Sequence, residues 1–565
     1  MYGRPTLTTS QTLVTNQSNE QYEKPLLVNA SGDFSNVKII QYKSRFLYSK
    51  YNPFKSIVSI IQNSIFLEGS IIVICAPCLW YGLEVLMQKL PAACKIIAIQ
   101  DDEQLLYIAQ QAIPQEYRNK ITLCGTNNLL ELDGYIRNLV QTGTYKRAVR
   151  IDFSAGIQLN VQMYNAVFAG IQEITASFWM NRITLVKMGR LFSKNVFQNL
   201  PMMADGLQLS EVCKSINKPI IVCGAGESLD STPKEIIEQC FVIAVDAALI
   251  ALLRRNIHVD AVISLESQYV IQKAYIGVQE FQDDIILFAD IASRPSVVRS
   301  MKNKTVWFAS EYTNAKFLAN LKQLDIIDDF IQPLGSVGLA ATLIALKLRQ
   351  SQDVPVFITG LDFSYSTGLT HAKGTPAHAT RLFSTNKLFP VENYDAAFAS
   401  GVFPIANKSK HTMMTSKSMK SYSDSFAATF NGVQNLFDLG KTGIPLNIPF
   451  ITENIAEELI KKADTSTNLL ICTQKKVERK NNIAKFYSAE RTALETIKDL
   501  LKLGENSSKR ELNISLDEQL RKLLQPREYL YLHFPDGYAF STEISFLKRV
   551  RAEIDFFLKQ IPQQF

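Results

Sequence analysis

Three groups of residues have types and spacing that could do chemistry. The first is Gly224-Ala225-Gly226-Glu227-Ser228, directly after an apolar run. Glycines there let backbone N–H groups approach a phosphate, helped by the start of a following helix. The turn lacks the third glycine of a dinucleotide fingerprint, so a plain tight strand-to-helix turn is the competing reading. The second group is Asp246 and Glu266, each closing an apolar run. Carboxylates at such places bind ribose or sugar hydroxyls or a metal, or in the case of Asp246 simply cap a helix. The third is Gly360-Leu361-Asp362-Phe363-Ser364-Tyr365, followed by Gly368-Leu369-Thr370-His371-Ala372-Lys373-Gly374-Thr375. The chain has only five histidines, and His371 lies in this glycine-flanked loop, with His378 seven residues on. Loops held by a rigid scaffold carry much catalytic chemistry, although a surface histidine is the plainer reading. No Cys or HExxH partner lies near enough for zinc, and no metal is expected. From His371 to Ser423 there are seven Lys/Arg against two Asp/Glu, a surplus that attracts an anionic donor or acceptor.

The elements that must position these groups read as alternating strands and helices. Ser70–Cys75 is an expected strand, turning at Ala76-Pro77-Cys78 into a helix that ends near Lys89; Lys95–Ile99 and Ile121–Cys124 are further strands. A second series starts at Ile220–Cys223 and continues through Phe241–Val245, Ala261–Leu265, Ile285–Phe288, Val306–Ala309 and Val354–Thr359. Thr232 with Glu235 fits a capping box around Pro233, and Gly335-Ser336-Val337-Gly338 opens an apolar helix to Leu348. Residues 363–445 read as loop-rich. Ile483, Phe486, Leu494, Ile497 and Leu501 share one helical face with a stop at Gly504, and Ile544, Leu547, Val550, Ile554 and Phe557 share another.

The expected organisation is a polar N-terminal arm over 1–35, an N-terminal α/β Rossmann-like domain over 36–205, a central domain over 206–450 and a C-terminal helical domain over 451–565. A length of 565 residues requires several cores, and 47% apolar with 20% charged residues is globular composition. A net charge of +7 spread over this length does not point to nucleic acid. The first thirty residues contain no apolar signal region, and no apolar run reaches the length of a membrane span. Eight scattered cysteines in apolar surroundings fit reduced thiols in a cytoplasm.

The three groups in their order, with Ala244-Val245-Asp246-Ala247-Ala248 and Val262-Ile263-Ser264-Leu265-Glu266-Ser267-Gln268, resemble the motility-associated factor (Maf) family. The likeness is clearest over about 206–450. The chain departs from the family in the glycine-poor turn Cys75-Ala76-Pro77-Cys78, and in Glu227 and Val259, where many members have proline. The resemblance implies a central nucleotide-sugar transferase domain similar to the bacterial sialyltransferases. It implies transfer of a nonulosonic acid, pseudaminic or legionaminic in type, from a CMP-activated donor to Ser or Thr of flagellin, in the service of flagellar assembly. No bound cofactor is implied beyond that donor substrate.

On this view His371 is the general base. Gly224, Gly226, Ser228, Asp246, Glu266, Ser336, Asp362, Ser364 and Tyr365 hold the donor, and Gly226→Val abolishes CMP binding without unfolding the protein. Two other readings stay open: a diphosphotransferase similar to hydroxymethylpterin pyrophosphokinases, and a non-catalytic flagellin-binding assembly factor. The N-terminal domain is not expected to bind S-adenosylmethionine, because its first turn lacks glycines. The C-terminal apolar faces serve either flagellin docking or packing on the central domain.

Overall fold

Runs rich in Ile and Val and bounded by Gly, Pro or Asp leave no polar face to solvent, which suits strands covered on both sides. Such runs become two parallel sheets in the computed structural model, which describes residues 24–301, 304–313, 315–388, 395–463, 474–506 and 514–563. The chain divides into two compact units at Thr184 and Leu185. The N-terminal arm lies outside the described residues as far as Glu23.

In the first unit β1 (Leu26–Asn29), β2 (Lys38–Tyr42) and β3 (Arg45–Phe46) form an antiparallel meander. Strands β4 (Ser70–Cys75), β5 (Lys95–Gln100), β6 (Ile121–Gly125) and β7 (Arg147–Asp152) form a parallel sheet in the order β6-β5-β4-β7. The turn after β4 is closed from within. Tyr48 Oη donates to the Pro77 carbonyl at 3.1 Å and accepts from Leu79 N at 2.8 Å, and Ser154 Oγ donates to the Ala76 carbonyl at 2.8 Å. Asp102, just beyond β5, caps the Glu103–Ala112 helix and accepts from Tyr42 Oη.

The second unit is built on eight parallel strands. They are β8 (Leu207–Gln208), β9 (Ile220–Cys223), β10 (Phe241–Val245), β11 (Ala261–Ser264), β12 (Ile286–Asp290), β13 (Thr305–Phe308), β14 (Val356–Thr359) and, after a separate antiparallel hairpin of β15 (Val402–Ala406) and β16 (Thr412–Ser416), β17 (Leu436–Asp438). The order is β17-β14-β9-β10-β11-β12-β13-β8. From β9 the chain steps outward strand by strand to β13, then returns to place β14 on the other side of β9. That reversal puts a topological switch point between β9 and β14, where connections leave on opposite faces and ligands usually enter.

Several local expectations are corrected. Residues 363–445 are more ordered than a loop: they hold the Pro376–Ser384 helix, the hairpin and the Lys417–Phe430 helix. No capping box forms at Thr232. Its hydroxyl donates instead to the Ser228 carbonyl and bonds the Thr359 hydroxyl, and Pro233 precedes the Lys234–Glu238 helix. The Gln474–Asn506 helix runs through Gly504. Ile544 is exposed at a helix start, and Phe546 takes its place on the buried face.

The C-terminal apolar faces are occupied. Ile483, Phe486, Leu494, Ile497, Leu501, Val550, Ile554 and Phe557 share one core with the eight-stranded sheet. The rings of Phe197, Phe317, Phe486, Tyr529 and Phe557 meet at its centre. Beside them Glu490, buried, accepts two bonds from Arg527 at 3.0 Å and one from Tyr529 Oη at 2.8 Å. These faces therefore have their packing partner within the unit, and docking is not needed to explain them.

Two substitutions check this architecture. Glu490→Ala leaves the Arg527 charge without its partner in the core and should cost about 3–5 kcal/mol in denaturant unfolding. Gly360 has φ +68 and its Cβ would overlap the Gly224 carbonyl. Gly360→Ala should therefore lose at least the roughly 1–3 kcal/mol of a strained backbone, read as a shift in the unfolding midpoint.

Candidate functional site

The switch point is stitched together by one carboxylate. Asp362, just past β14, accepts from Ser228 N at 2.7 Å and from the Ser228 hydroxyl, and that hydroxyl in turn accepts from Gly360 N at 2.9 Å. Gly226 N donates to the Gly360 carbonyl at 2.8 Å. A side chain on Gly226 would meet the Asp362 carboxylate and the Gly360 carbonyl, and one on Gly224 would meet Gly360. The glycines are thus required by strand-end packing, and Gly226→Val would disturb the fold itself, contrary to the expectation above. Burial pushes the Asp362 carboxyl up to about 6, against the bonds from Ser228 and the Lys408 charge that favour its ionised form. Glu227 does not oppose an anion over the turn from a free position: its Oε2 accepts from Ser366 N at 3.2 Å.

The His371 loop is pinned to this turn. Ala372 N donates to the Ala225 carbonyl at 2.9 Å. Lys373 N donates to the Asp230 carboxylate, and Arg255 bonds both Asp230 and the Lys373 carbonyl. Gly374 packs against Ala251 of the Asp246–Arg254 helix. His371 is half-buried, with Nδ1 3.1 Å from the Thr370 hydroxyl. Burial first, and then the Arg381 and His378 charges, hold its pKa below the usual 6.5, so it stays a neutral acceptor at neutral pH. His378 lies in the first turn of the Pro376–Ser384 helix, where Thr375 accepts from His378 N and His378 Nδ1 receives Gly374 N.

A row of carboxylates follows along the same strand ends. Asp246 is the first residue of its helix rather than the cap, and its Oδ1 accepts from Ala247 N at 2.7 Å. Burial, with the Glu266 charge adding to it, pushes this carboxyl up to about 7. Glu266, past β11, accepts from Gln268 N at 2.9 Å. Asp290 closes β12, accepts from Ala292 N and Ser310 N at 2.8 Å, and is pushed up to about 6 by burial. Among the described residues no three His, Cys, Asp or Glu are arranged to hold a metal ion.

The remaining expected residues divide. Ser336 heads the Val337–Leu348 helix without a side-chain capping bond, and Gly338 in that first turn packs on Leu361 beyond β14, so this helix start reaches the switch point. Ser364 and Tyr365 have their hydroxyls engaged, with the Asp362 carbonyl at 3.2 Å and the Ala396 carbonyl at 2.7 Å. The structure therefore gathers Gly224, Gly226, Ser228, Asp362 and the His371 loop at one place, with Asp246, Glu266 and Ser336 on neighbouring element ends.

Sequence reading missed other residues. Arg381 stands three residues after His378 on one helix face, a spacing that could have flagged it. Lys408 pairs with Asp438 at 2.5 Å and donates to the Gly440 carbonyl. Asn195 and Asn199, four apart on the Val161–Met203 helix, donate to carbonyls of Ser267, Ala292, Ile291 and Ser293 and so fix the exits of β11 and β12.

Comparison with known proteins adds three findings. Residues 194–368 match a protein-family model described as 6-hydroxymethylpterin diphosphokinase MptE-like. A solved structure of a Maf glycosyltransferase from Magnetospirillum magneticum AMB-1 is similar in fold, with a TM-score of 0.52 at 14% identity, over 95% of this chain and 91% of that one. A protein of Treponema pallidum (strain Nichols), described as uncharacterized, is 30% identical over 560 residues, which is 95% of this chain and 94% of its own length. At that identity over nearly both whole lengths, the chain belongs to the same family as the Treponema pallidum protein.

Proposed function

We propose that the protein is a glycosyltransferase that moves a nonulosonic acid from a CMP-activated donor to a Ser or Thr hydroxyl of flagellin, acting in the cytoplasm. The observation that carries this reading is the His371 loop, bonded through Ala372 to Ala225 and so held beside the strand-end turn of the switch point. The fold likeness to a Maf glycosyltransferase supports it, because that likeness extends over 95% of the chain. In the proposed reaction the acceptor oxygen attacks the anomeric carbon. The bond from that carbon to the cytidylate phosphate breaks, and its electron pair leaves with CMP. His371 takes the acceptor proton. In this reading the start of the Val337–Leu348 helix stabilises the departing charge. Gly224, Gly226, Ser228 and Asp362 act by shaping the turn, and Asp246 and Glu266 are placed for sugar or ribose hydroxyls.

A second reading has its own observation. The family match over residues 194–368 favours diphosphate transfer from ATP to a pterin alcohol. That match ends before His371. Purified protein supplied with CMP-nonulosonate and flagellin, or with ATP and hydroxymethylpterin, separates the two by product mass. Product in neither assay favours a non-catalytic flagellin-binding factor.

His371→Ala should lower sugar transfer by about 10²–10⁴-fold while CMP affinity in calorimetry stays near wild type. Loss of CMP binding instead would make His371 a donor ligand. The pH profile gives an independent check. A base whose pKa is held below 6.5 keeps its acceptor form as the pH falls past that value. Transfer should accordingly hold to below pH 6.5 and decline only in more acidic buffer; a decline centred above that value would remove His371 from the role.

A further inference from the structure

We propose that Arg381 and His378, beside His371, form a subsite for an anionic group of the ligand, a phosphate or a sugar carboxylate. The inference rests on the reading of this strand-end region as the donor site, and it names residues that reading did not use.

Three observations converge. First, Arg381 and His378 are three residues apart on the Pro376–Ser384 helix and so lie on one face, while His371 sits on the loop that feeds this helix. Gly374 N bonds His378 Nδ1 at 3.4 Å and Thr370 bonds His371 Nδ1, which leaves both Nε2 atoms without a partner among the described residues. Second, the Arg381 guanidinium makes no hydrogen bond or ion pair among the described residues, although it is only half-exposed. The guanidinium groups of Arg255 and Arg349, by contrast, bond groups of this chain. The carboxylates of the adjoining turn are engaged elsewhere: Asp230 by Arg255 and Lys373 N, Glu227 by Ser366 N. Third, Arg381 is near enough to His371 and Tyr365 for its charge to act on both.

A surface arginine is ordinarily just solvated. Here the free imidazole nitrogen of His378 and a planar five-donor guanidinium share one helix face next to a pinned loop, and among the described residues no acid is bonded to either. Such a set matches the oxygens of phosphate or carboxylate. The excess of Lys and Arg from His371 to Ser423 adds a field of the same sign.

The test compares the full chain with Arg381→Gln, and with Arg381→Lys to restore charge without the fork. Four probes are titrated: CMP, cytidine, free N-acetylneuraminate and inorganic diphosphate. Expected is a loss of about 10- to 100-fold in affinity for CMP or for the sugar acid in Arg381→Gln, partly recovered in Arg381→Lys, with cytidine unaffected. A loss confined to CMP assigns the phosphate, and a loss confined to N-acetylneuraminate assigns the carboxylate. Thermal unfolding of the variants checks that the fold is kept. Unchanged affinity of Arg381→Gln for all three anions overturns the proposal, as does a wild-type protein that binds neither CMP, N-acetylneuraminate nor inorganic diphosphate. If diphosphate binds and Arg381→Gln weakens it, yet wild type transfers no sugar, the subsite stands and the glycosyltransferase reading falls.

Discussion

The contact on which the site depends is that between the Asp362 carboxylate and Ser228. Parallel strands that leave a sheet on opposite faces tend to splay at their exits, and the gap between β9 and β14 is such a place. One buried carboxylate closes it by accepting a backbone amide and a hydroxyl from the opposite exit. That hydroxyl accepts a third bond from Gly360. The turn from Gly224 to Ser228 thus has one shape, and the His371 loop finds a fixed carbonyl at Ala225 to bond. The cost is a buried carboxylate, offset by charge-assisted bonds and by Lys408 nearby.

The strand ends beyond it carry further carboxyls raised by burial. Asp246, Asp362 and Asp290 lie above the usual carboxylate range for the same main reason, desolvation, to which Glu266 adds at Asp246 and Asp438 at Asp362. His371 is shifted the other way, because burial disfavours its charged form as well. One end of the sheet therefore combines acids prone to protonation with a histidine prone to stay neutral. Burial thus moves both kinds of group toward their neutral forms.

Much of this was legible in the sequence, for physical reasons. Ile220–Cys223 and Phe241–Val245 are uninterrupted apolar runs, and only a strand buried on both faces uses them that way. The placing of Gly224, Asp246, Glu266 and Asp362 beyond strand ends followed from those runs. What was not legible depends on contacts distant in sequence. Nothing near Gly226 says that Asp362 occupies the space a side chain would need. Thr232 looked like a cap because Glu235 follows it, but the hydroxyl finds Thr359 across the switch point. Ser364 and Tyr365 looked available because their partners, the Asp362 and Ala396 carbonyls, are backbone groups that any residue supplies. The family likeness read from the motifs has its structural counterpart in the fold of a Maf glycosyltransferase.

The close approach of Gly224 and Gly360 has a consequence for how this sequence can drift. Each occupies the volume a side chain on the other would need, and each would meet the other's backbone, Gly224 the Leu361 side chain as well. Backbone cannot be trimmed, so no substitution at one position makes room at the other. The pair forms a lock without a compensating double change. Around it, Ser228 and Asp362 can change only together, since either alone leaves a buried polar group without its partner. Variation in this region is therefore channelled outward, to His378, Arg381 and the rest of the Pro376–Ser384 helix, none of whose residues is fully buried. The rigid floor of the site is closed to gradual change, while its rim stays open to selection for a different ligand.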